Sequence, residues 1–189
     1  HLDNPQVGDQ VMVEGDEARH AAVKRVEVGE HVLVADGHGL GVEGSVVYCT
    51  KTTLTVAVDA VRREEPRRRV TVVQALAKGD RSTLAVQMLT EMGAARIVAW
   101  QADRSIVRWP AERRDKALAK WEATARESSK QSRRFSIPEV AFATTKQLPD
   151  VLGDVSTVLV LHEDASQHIR DVAVEGDVAV IVGPEGGIA

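Results

Sequence analysis

One cysteine stands in 189 residues, and that single count removes several classes of protein. No internal disulfide framework is possible, and the usage fits a reducing cytoplasm. Cys49 lies in a β-branched, strand-like run, Val46-Val47-Tyr48-Cys49-Thr50, where packing accounts for it. The six histidines are scattered, and no Cys/His pattern has metal spacing, so no metal is expected. Aromatic residues make up only 3%, too few for a base-stacking platform. No apolar run approaches the roughly 18 residues that a membrane span needs. Neither GxGxxG nor GxxxxGK[ST] occurs, which argues against a dinucleotide site and a phosphate-cradling NTPase loop. The chain opens on His1 rather than Met, with no secretory apolar region after it, which reads as a fragment or a trimmed form.

Hydrophobic residues reach 43%, enough for a packed core, and the net charge is −4. The sum hides a division. Between residues 104 and 134 ten Lys/Arg face four Asp/Glu; from 146 onward two face eight. A basic middle can follow a phosphate backbone while the acidic parts keep the total negative. A solvated helix face with mixed charges is the plainer reading of that middle.

The pattern changes along the chain. Residues 10–13, 31–35, 41–50 and 53–61 read as short strands with glycine turns, and 16–25 as a short helix capped by Asp16. Such strands suggest a small barrel. The run Arg62-Arg63-Glu64-Glu65-Pro66-Arg67-Arg68-Arg69 has nothing apolar to bury and reads as a linker that could also touch phosphates. Strand and helix then alternate. Strands are expected at 70–77, 96–100, 139–142, 157–161 and 178–182. Ser82 is read as the cap of one helix, with Leu84, Met88, Leu89 and Met92 on one face and Gly93 ending it. A long helix runs from Pro110 to about Arg133, with Trp121 and Ala125 inward. That alternation implies a parallel sheet covered on both faces.

The last strand carries the most information. Val178–Val182 is an unbroken apolar run, β-branched except at Ala179, that stops in Gly183-Pro184-Glu185-Gly186-Gly187. Open α/β sheets bind ligands at the carboxyl ends of their strands, and glycines there let a ligand reach the backbone. Lys78-Gly79-Asp80-Arg81 and His162-Glu163-Asp164 occupy equivalent places after two other strands. A neutral-to-acidic glycine loop beside a basic helix suits a cationic cofactor next to RNA phosphates. A sulfonium such as S-adenosylmethionine fits that balance better than a nucleoside triphosphate.

Taken together these motifs resemble a known family. Lys78-Gly79-Asp80-Arg81, Gln87 with Leu89-Thr90-Glu91-Met92-Gly93, and Arg104-Ser105 are similar to the KxDR…QKxTELG…RS pattern of RsmE-type 16S rRNA methyltransferases, of the SPOUT superfamily. Trp121, the stretch Arg126 to Arg134 with Pro138, Leu161-His162-Glu163, and Gly183 to Gly187 follow in the family's order. In the first domain His20, Arg25, Gly29 and Asp36-Gly37 match as well. Met88 stands where the family has lysine, Lys24 where it has leucine, and Ser128 where it has alanine.

The resemblance implies a PUA-like β-barrel at 1–62 for RNA docking, a linker at 63–69, and a SPOUT α/β-knot domain at 70–189. It implies S-adenosylmethionine-dependent methylation of uridine N3 in 16S rRNA of the small ribosomal subunit, by a cytoplasmic homodimer. It places Leu161, His162, Glu163, Gly183, Pro184, Glu185, Gly186 and Gly187 in the cofactor pocket. Arg25, Arg81, Arg104 and Arg133 are its RNA candidates, each with a surface ion pair as the ordinary alternative. No residue is assigned as general base. Methylation at uracil C5 generally needs a cysteine nucleophile, and Cys49 lies in the wrong domain for it. The family's chain runs on through a knot-forming return, so a chain ending at Ala189 is expected to bind cofactor and dimerise poorly. A non-catalytic RNA-binding or ribosome-assembly protein of the same fold, and an unrelated α/β enzyme, are the rival readings.

Overall fold

The computed structural model describes residues 2–184, 187 and 188. The chain divides into two compact units. The first is 1–65 together with 134–136, and the second is 66–133 together with 137–189.

In the first unit β1 (Gln10–Glu14), β2 (His31–Ala35), β3 (Leu40–Cys49) and β4 (Thr53–Arg63) form an antiparallel sheet in the order β1-β4-β3-β2. Two register shifts in β3, at Glu43/Gly44 and Val46/Tyr48, are the bulges that bend such a sheet around its core. Val46, Leu54 and Val56 form that core with Ala21 of α1 (Asp16–Val23). The helix differs from the sequence reading in one respect. Its N-cap is Gly15, at φ 75, and Asp16 is instead the first helical residue, ion-paired with Arg19. The buried face is Ala18 and Ala21, whereas Val23 is exposed.

Glu64 explains why three residues from the middle of the chain belong here. Its carboxylate accepts the backbone N–H groups of Phe135 and Ser136 at 2.8 and 3.1 Å, with Arg134 at 3.7 Å. Gly41 has no Cβ because the Phe135 ring lies 3.0 Å from where one would be.

On the sheet surface Glu43 accepts two bonds from Arg62, at 2.8 and 3.1 Å. That hydrogen bonding, helped by the guanidinium charge, holds the Glu43 carboxyl below the usual carboxylate range. A depressed folded-state pKa gives stability that is present above the unfolded value and lost as pH falls through the folded one. Glu43→Gln is therefore expected to lower Tm slightly at neutral pH and not at all once the wild-type carboxyl is protonated. Thermal melts across that pH range check it, and a difference that persists in acid would contradict it.

The second unit is a five-stranded, all-parallel sheet in the order β7-β6-β5-β9-β8. Its strands are β5 (Val70–Ala75), β6 (Arg96–Gln101), β7 (Glu139–Thr144), β8 (Thr157–Leu161) and β9 (Val178–Val182). Helices α2 (Arg81–Glu91) and α3 (Ala111–Gln131) cover one face, over Val72, Ile97 and Ala99. The short α4 (Leu148–Val151) helps cover the other, over Val73, Val98 and Ala143. Trp121 of α3 is buried edge-on against Trp109, with ring centroids 5.4 Å apart.

Three sequence expectations fail in this unit. The buried face of α2 is Ser82, Val86 and Thr90, while Leu84, Met88 and Met92 lie outward and are more than half exposed. Ser82 does not cap α2. Its hydroxyl donates to the Ala77 carbonyl and accepts the Ala77 N–H, which fastens the loop after β5. Strand β8, expected to be buried, is the sheet edge, with Val158 and Val160 about half exposed. Its connection to β9 carries a single 3-10 turn (Ile169–Asp171) rather than a helix that could cover it.

Candidate functional site: the carboxyl edge of the parallel sheet

Strand order selects the site. From β5 the chain winds one way through β6 and β7. It then crosses to β8 at the far edge and returns inward as β9. The winding thus reverses between β5 and β9, and a reversal of this kind opens a crevice outside the carboxyl ends of the two strands.

Register brings the loops level. Gln74 pairs with Val182, and Val182 with Leu161. The next residues, Gly183 and His162, therefore leave the sheet beside Ala75, the last residue of β5. Three of the sequence motifs thus follow neighbouring strands at one edge of the sheet: Lys78–Arg81 after β5, Gly183 and Pro184 after β9, and His162–Asp164 after β8.

Gly183 is where close packing is most demanding. A Cβ there would meet Cγ1 of Ile188 at 2.5 Å, because the chain folds back over it. The Gly187 N–H donates to the Pro184 carbonyl at 2.9 Å, and Gly187 has φ 77, a conformation that favours glycine. Glu185 and Gly186 lie outside the described residues. In the neighbouring loop the His162 Nδ1 accepts the Asp164 N–H at 3.1 Å. The Asp164 carboxylate is 3.9 Å from the same nitrogen, too far for a hydrogen bond, so the backbone contact sets the ring. Leu161 is partly exposed at the end of β8 and Glu163 is exposed beside it.

The loop after β6 joins this edge from the other side. The Gln101 side chain accepts the Trp109 N–H at 2.8 Å, and Arg108 donates to the Asp103 carbonyl, so the loop is closed at its base. Arg104 is exposed on it. Ser105 beside it is 5% exposed, and its hydroxyl has no hydrogen-bond partner among the described residues. A buried hydroxyl left unpaired is costly, which marks Ser105 as a residue that the motif included but that spacing gave no role.

Of the four arginines expected to meet RNA, Arg81 and Arg104 are at this edge. Arg133 is not: α3 runs antiparallel to the strands, and its 21 residues carry Arg133 about 30 Å to the amino edge. Arg25 belongs to the first unit. Elsewhere, Gln87 and Glu91 of α2 and Lys120, Thr124, Glu127 and Gln131 of α3 line a cavity of about 450 Å³ between the helices. Among the described residues no group of three or more His, Cys, Asp or Glu could hold a metal ion, and no helix is long and apolar enough to cross a membrane.

The chemistry of the edge suits a sulfonium cofactor. His162–Asp164 and the segment after β9 carry Glu163, Asp164 and Glu185, and Arg170 is the one Lys or Arg of the whole β8–β9 connection, while Lys78, Arg81, Arg104 and Arg108 stand after β5 and β6. A cation is thus favoured on one side and an anionic substrate on the other.

Comparison with known proteins agrees. Residues 63–189 match the model of an RNA methyltransferase domain. The ribosomal RNA small subunit methyltransferase E of Mycobacterium tuberculosis (strain CDC 1551 / Oshkosh) is 41% identical over 194 residues, covering 98% of this chain and 74% of that protein. The protein of the same name from Bacillus subtilis (strain 168) is 25% identical, covering 93% of this chain and 74% of its own. A ribosomal RNA small subunit methyltransferase E from Neisseria gonorrhoeae, solved bound to S-adenosyl methionine, superposes with a TM-score of 0.82 at 25% identity, over 99% of this chain and 79% of that one. The architecture is accordingly the expected one, a PUA-like β-domain joined to a SPOUT α/β domain. The chain belongs to the RNA methyltransferase family that contains the ribosomal RNA small subunit methyltransferases E.

Proposed function

We propose that this protein transfers a methyl group from S-adenosylmethionine to N3 of a uridine in 16S rRNA. The observation that carries the reading is the level exit of three strands at the winding reversal, with Gly183 at its centre. Backbone groups of Gly183, Pro184 and Gly187 would hold the cofactor, with Leu161 and His162 flanking it and Glu163 in reach of a ribose hydroxyl. Glu185 and Gly186 complete that set in the sequence. When bound, S-adenosylmethionine supplies a methyl carbon made electrophilic by its sulfonium.

The chain's own residues have two tasks. They must hold N3 in line with that carbon, and positioning of this kind supplies much of a transfer rate. They must also favour loss of the N3 proton, whose departure leaves negative charge on the two flanking carbonyl oxygens. Arg81 and Arg104, on the side of the edge away from the acidic loops, are suited to that charge. The N3 lone pair then forms the new N–C bond as the S–C bond breaks, and the N3 proton passes to solvent.

Residues 1–62 would dock the RNA, with 63–69 leading to the methyltransferase domain. With little aromatic surface, RNA affinity should rest on phosphate contacts and fall steeply with salt. The same reading includes a homodimer in the cytoplasm. Its support is the outward apolar face of α2, Leu84, Met88 and Met92, and the half-exposed Val158 and Val160 of β8. No comparison supports a non-catalytic role. The test is transfer of a labelled methyl group into 16S rRNA, with the product nucleoside identified by mass.

A further inference from the structure

The loop between β6 and α3, residues 102–110, carries Arg104 to the carboxyl edge and is fastened at both ends. Gln101, the last residue of β6, accepts the Trp109 N–H through its side-chain oxygen at 2.8 Å, which ties the end of the strand to the start of the helix. Inside that clasp the Ser105 N–H donates to the Ala102 carbonyl at 3.0 Å and Arg108 to the Asp103 carbonyl at 2.8 Å. The Trp109 ring pins the far end. It stacks on Phe142 of β7, with centroids 6.0 Å apart and planes inclined at 21°, and meets Trp121 of α3 edge-on. The Arg114 guanidinium of α3 lies 4.2 Å from the centre of the Phe142 ring. Three of the chain's six aromatic residues are thus gathered at one end of one loop. Pro110 follows and restricts Trp109 to an extended backbone.

Packing accounts for Trp121, which is 3% exposed, but not for the whole arrangement. Trp109 and Phe142 are only partly buried, and β7 is an edge strand. Two neighbours within the loop show that its path is imposed. The Ser105 hydroxyl is buried without a partner among the described residues, a cost that a slack loop would relieve by turning the group to water. Arg104 beside it is exposed, and its side chain makes no hydrogen bond or ion pair among the described residues. The loop backbone therefore sets the position from which that guanidinium reaches out. A charge held in this way needs no reordering when it meets a developing anion, whereas one on a slack loop must be ordered each time.

We infer that Gln101 and Trp109 are positioning residues for methyl transfer: together they hold the loop so that Arg104 stands ready for the negative charge that develops on the target uracil. This role rests on the uridine-N3 methyltransferase reading and adds to it the side chains that preorganise the edge. Both residues act through Arg104. Because Arg104 meets a charge that exists only once the N3 proton is leaving, the effect belongs in kcat, with KM for RNA little changed.

The experiment measures kcat and KM for methyl transfer into 16S rRNA, S-adenosylmethionine affinity by calorimetry, and melting temperature. The proteins are wild type, Gln101→Met, Trp109→Leu, Trp109→Phe, Arg104→Ala and the double variant Gln101→Met/Arg104→Ala. Methionine keeps the length of Gln101 and removes its acceptor. Gln101→Met and Trp109→Leu should each lower kcat about 10- to 100-fold, with KM for RNA and cofactor affinity within about twofold of wild type. Trp109→Phe, which keeps a ring against Phe142, should recover most of that loss. On the Arg104→Ala background Gln101→Met should cost nothing further, because the group that it positions is gone. Should Trp109→Leu fail to fold, Gln101→Met and the double variant decide. A lower melting temperature with kcat unchanged in Gln101→Met would overturn the inference and reduce the clasp to packing. A full further loss from Gln101→Met on top of Arg104→Ala would overturn it as well. Either result leaves the methyltransferase reading intact. Wild-type protein that puts no methyl group into 16S rRNA would overturn that reading, and the inference with it.

Discussion

A Gly183→Val protein is expected to keep its fold and lose methyl transfer by about 100-fold or more, the cost of a misplacement of about 1 Å beside reacting groups. The cause is local. The new Cβ would lie 2.5 Å from Ile188 Cγ1 and 3.0 Å from its Cδ1, so the returning chain must move away. What moves is a side chain and a surface loop, and the core strands are left alone. Ala179 and Ile181 of β9 stay buried against β5 whatever the loop does. Stability should therefore change little, while the wall that approaches the cofactor is displaced. Calorimetric titration with S-adenosylmethionine, beside a thermal melt, separates the two effects. Unchanged cofactor affinity would mean that this loop is not the pocket wall.

The second large effect is on the other unit. Gly44→Ala is expected to destabilise the β-domain by about 3 kcal/mol or more, at the upper end of what overpacking costs. Its Cβ would fall 1.9 Å from the Ala57 carbonyl oxygen and 2.9 Å from the carbonyl carbon. Both are backbone atoms of β4, held in the central pair of the sheet, so no rotamer change relieves the clash. Because the chain forms two compact units, the damage should stay in the first. The variant should show an early melting transition and weakened RNA binding, with S-adenosylmethionine binding preserved. A single transition at the wild-type temperature would show that the bulge absorbs the methyl group.

Strand β9 and the start of the loop after it were legible in the sequence for a simple reason. A β-branched run that stops at Gly-Pro is a local signal, and β9 with its loop depends on little else. Sheet order is not local. Nothing in Thr157-Val158-Leu159-Val160-Leu161 says that the strand lies at an edge, and the same apolar run would serve in the centre. Helix α2 misled for a related reason. It carries two stripes, one of large apolar residues and one of Ser82, Val86 and Thr90. Periodicity favours the larger residues, but α2 packs against α3, whose own buried residues include the small Ala125, Ser128 and Ser129, with its smaller stripe inward. The attachment of 134–136 to the first unit depends on Glu64, about 70 residues earlier in the chain, and composition cannot show it. The helix ends at Arg25 and Arg133, which take positive φ of 57 and 55, were invisible for the opposite reason: a glycine would have announced the helix end, and arginine hides it.

The central claim is that the edge formed by β5, β9 and β8 methylates RNA. The most direct measurement incubates the purified protein with methyl-labelled S-adenosylmethionine and 16S rRNA or small ribosomal subunits from a strain lacking the protein. The RNA is then digested to nucleosides and weighed. The account predicts labelled 3-methyluridine at a single site, absent when Gly183→Val replaces wild type. Label in any other nucleoside, or none with an RNA substrate that wild-type cells do modify at that uridine, would contradict it.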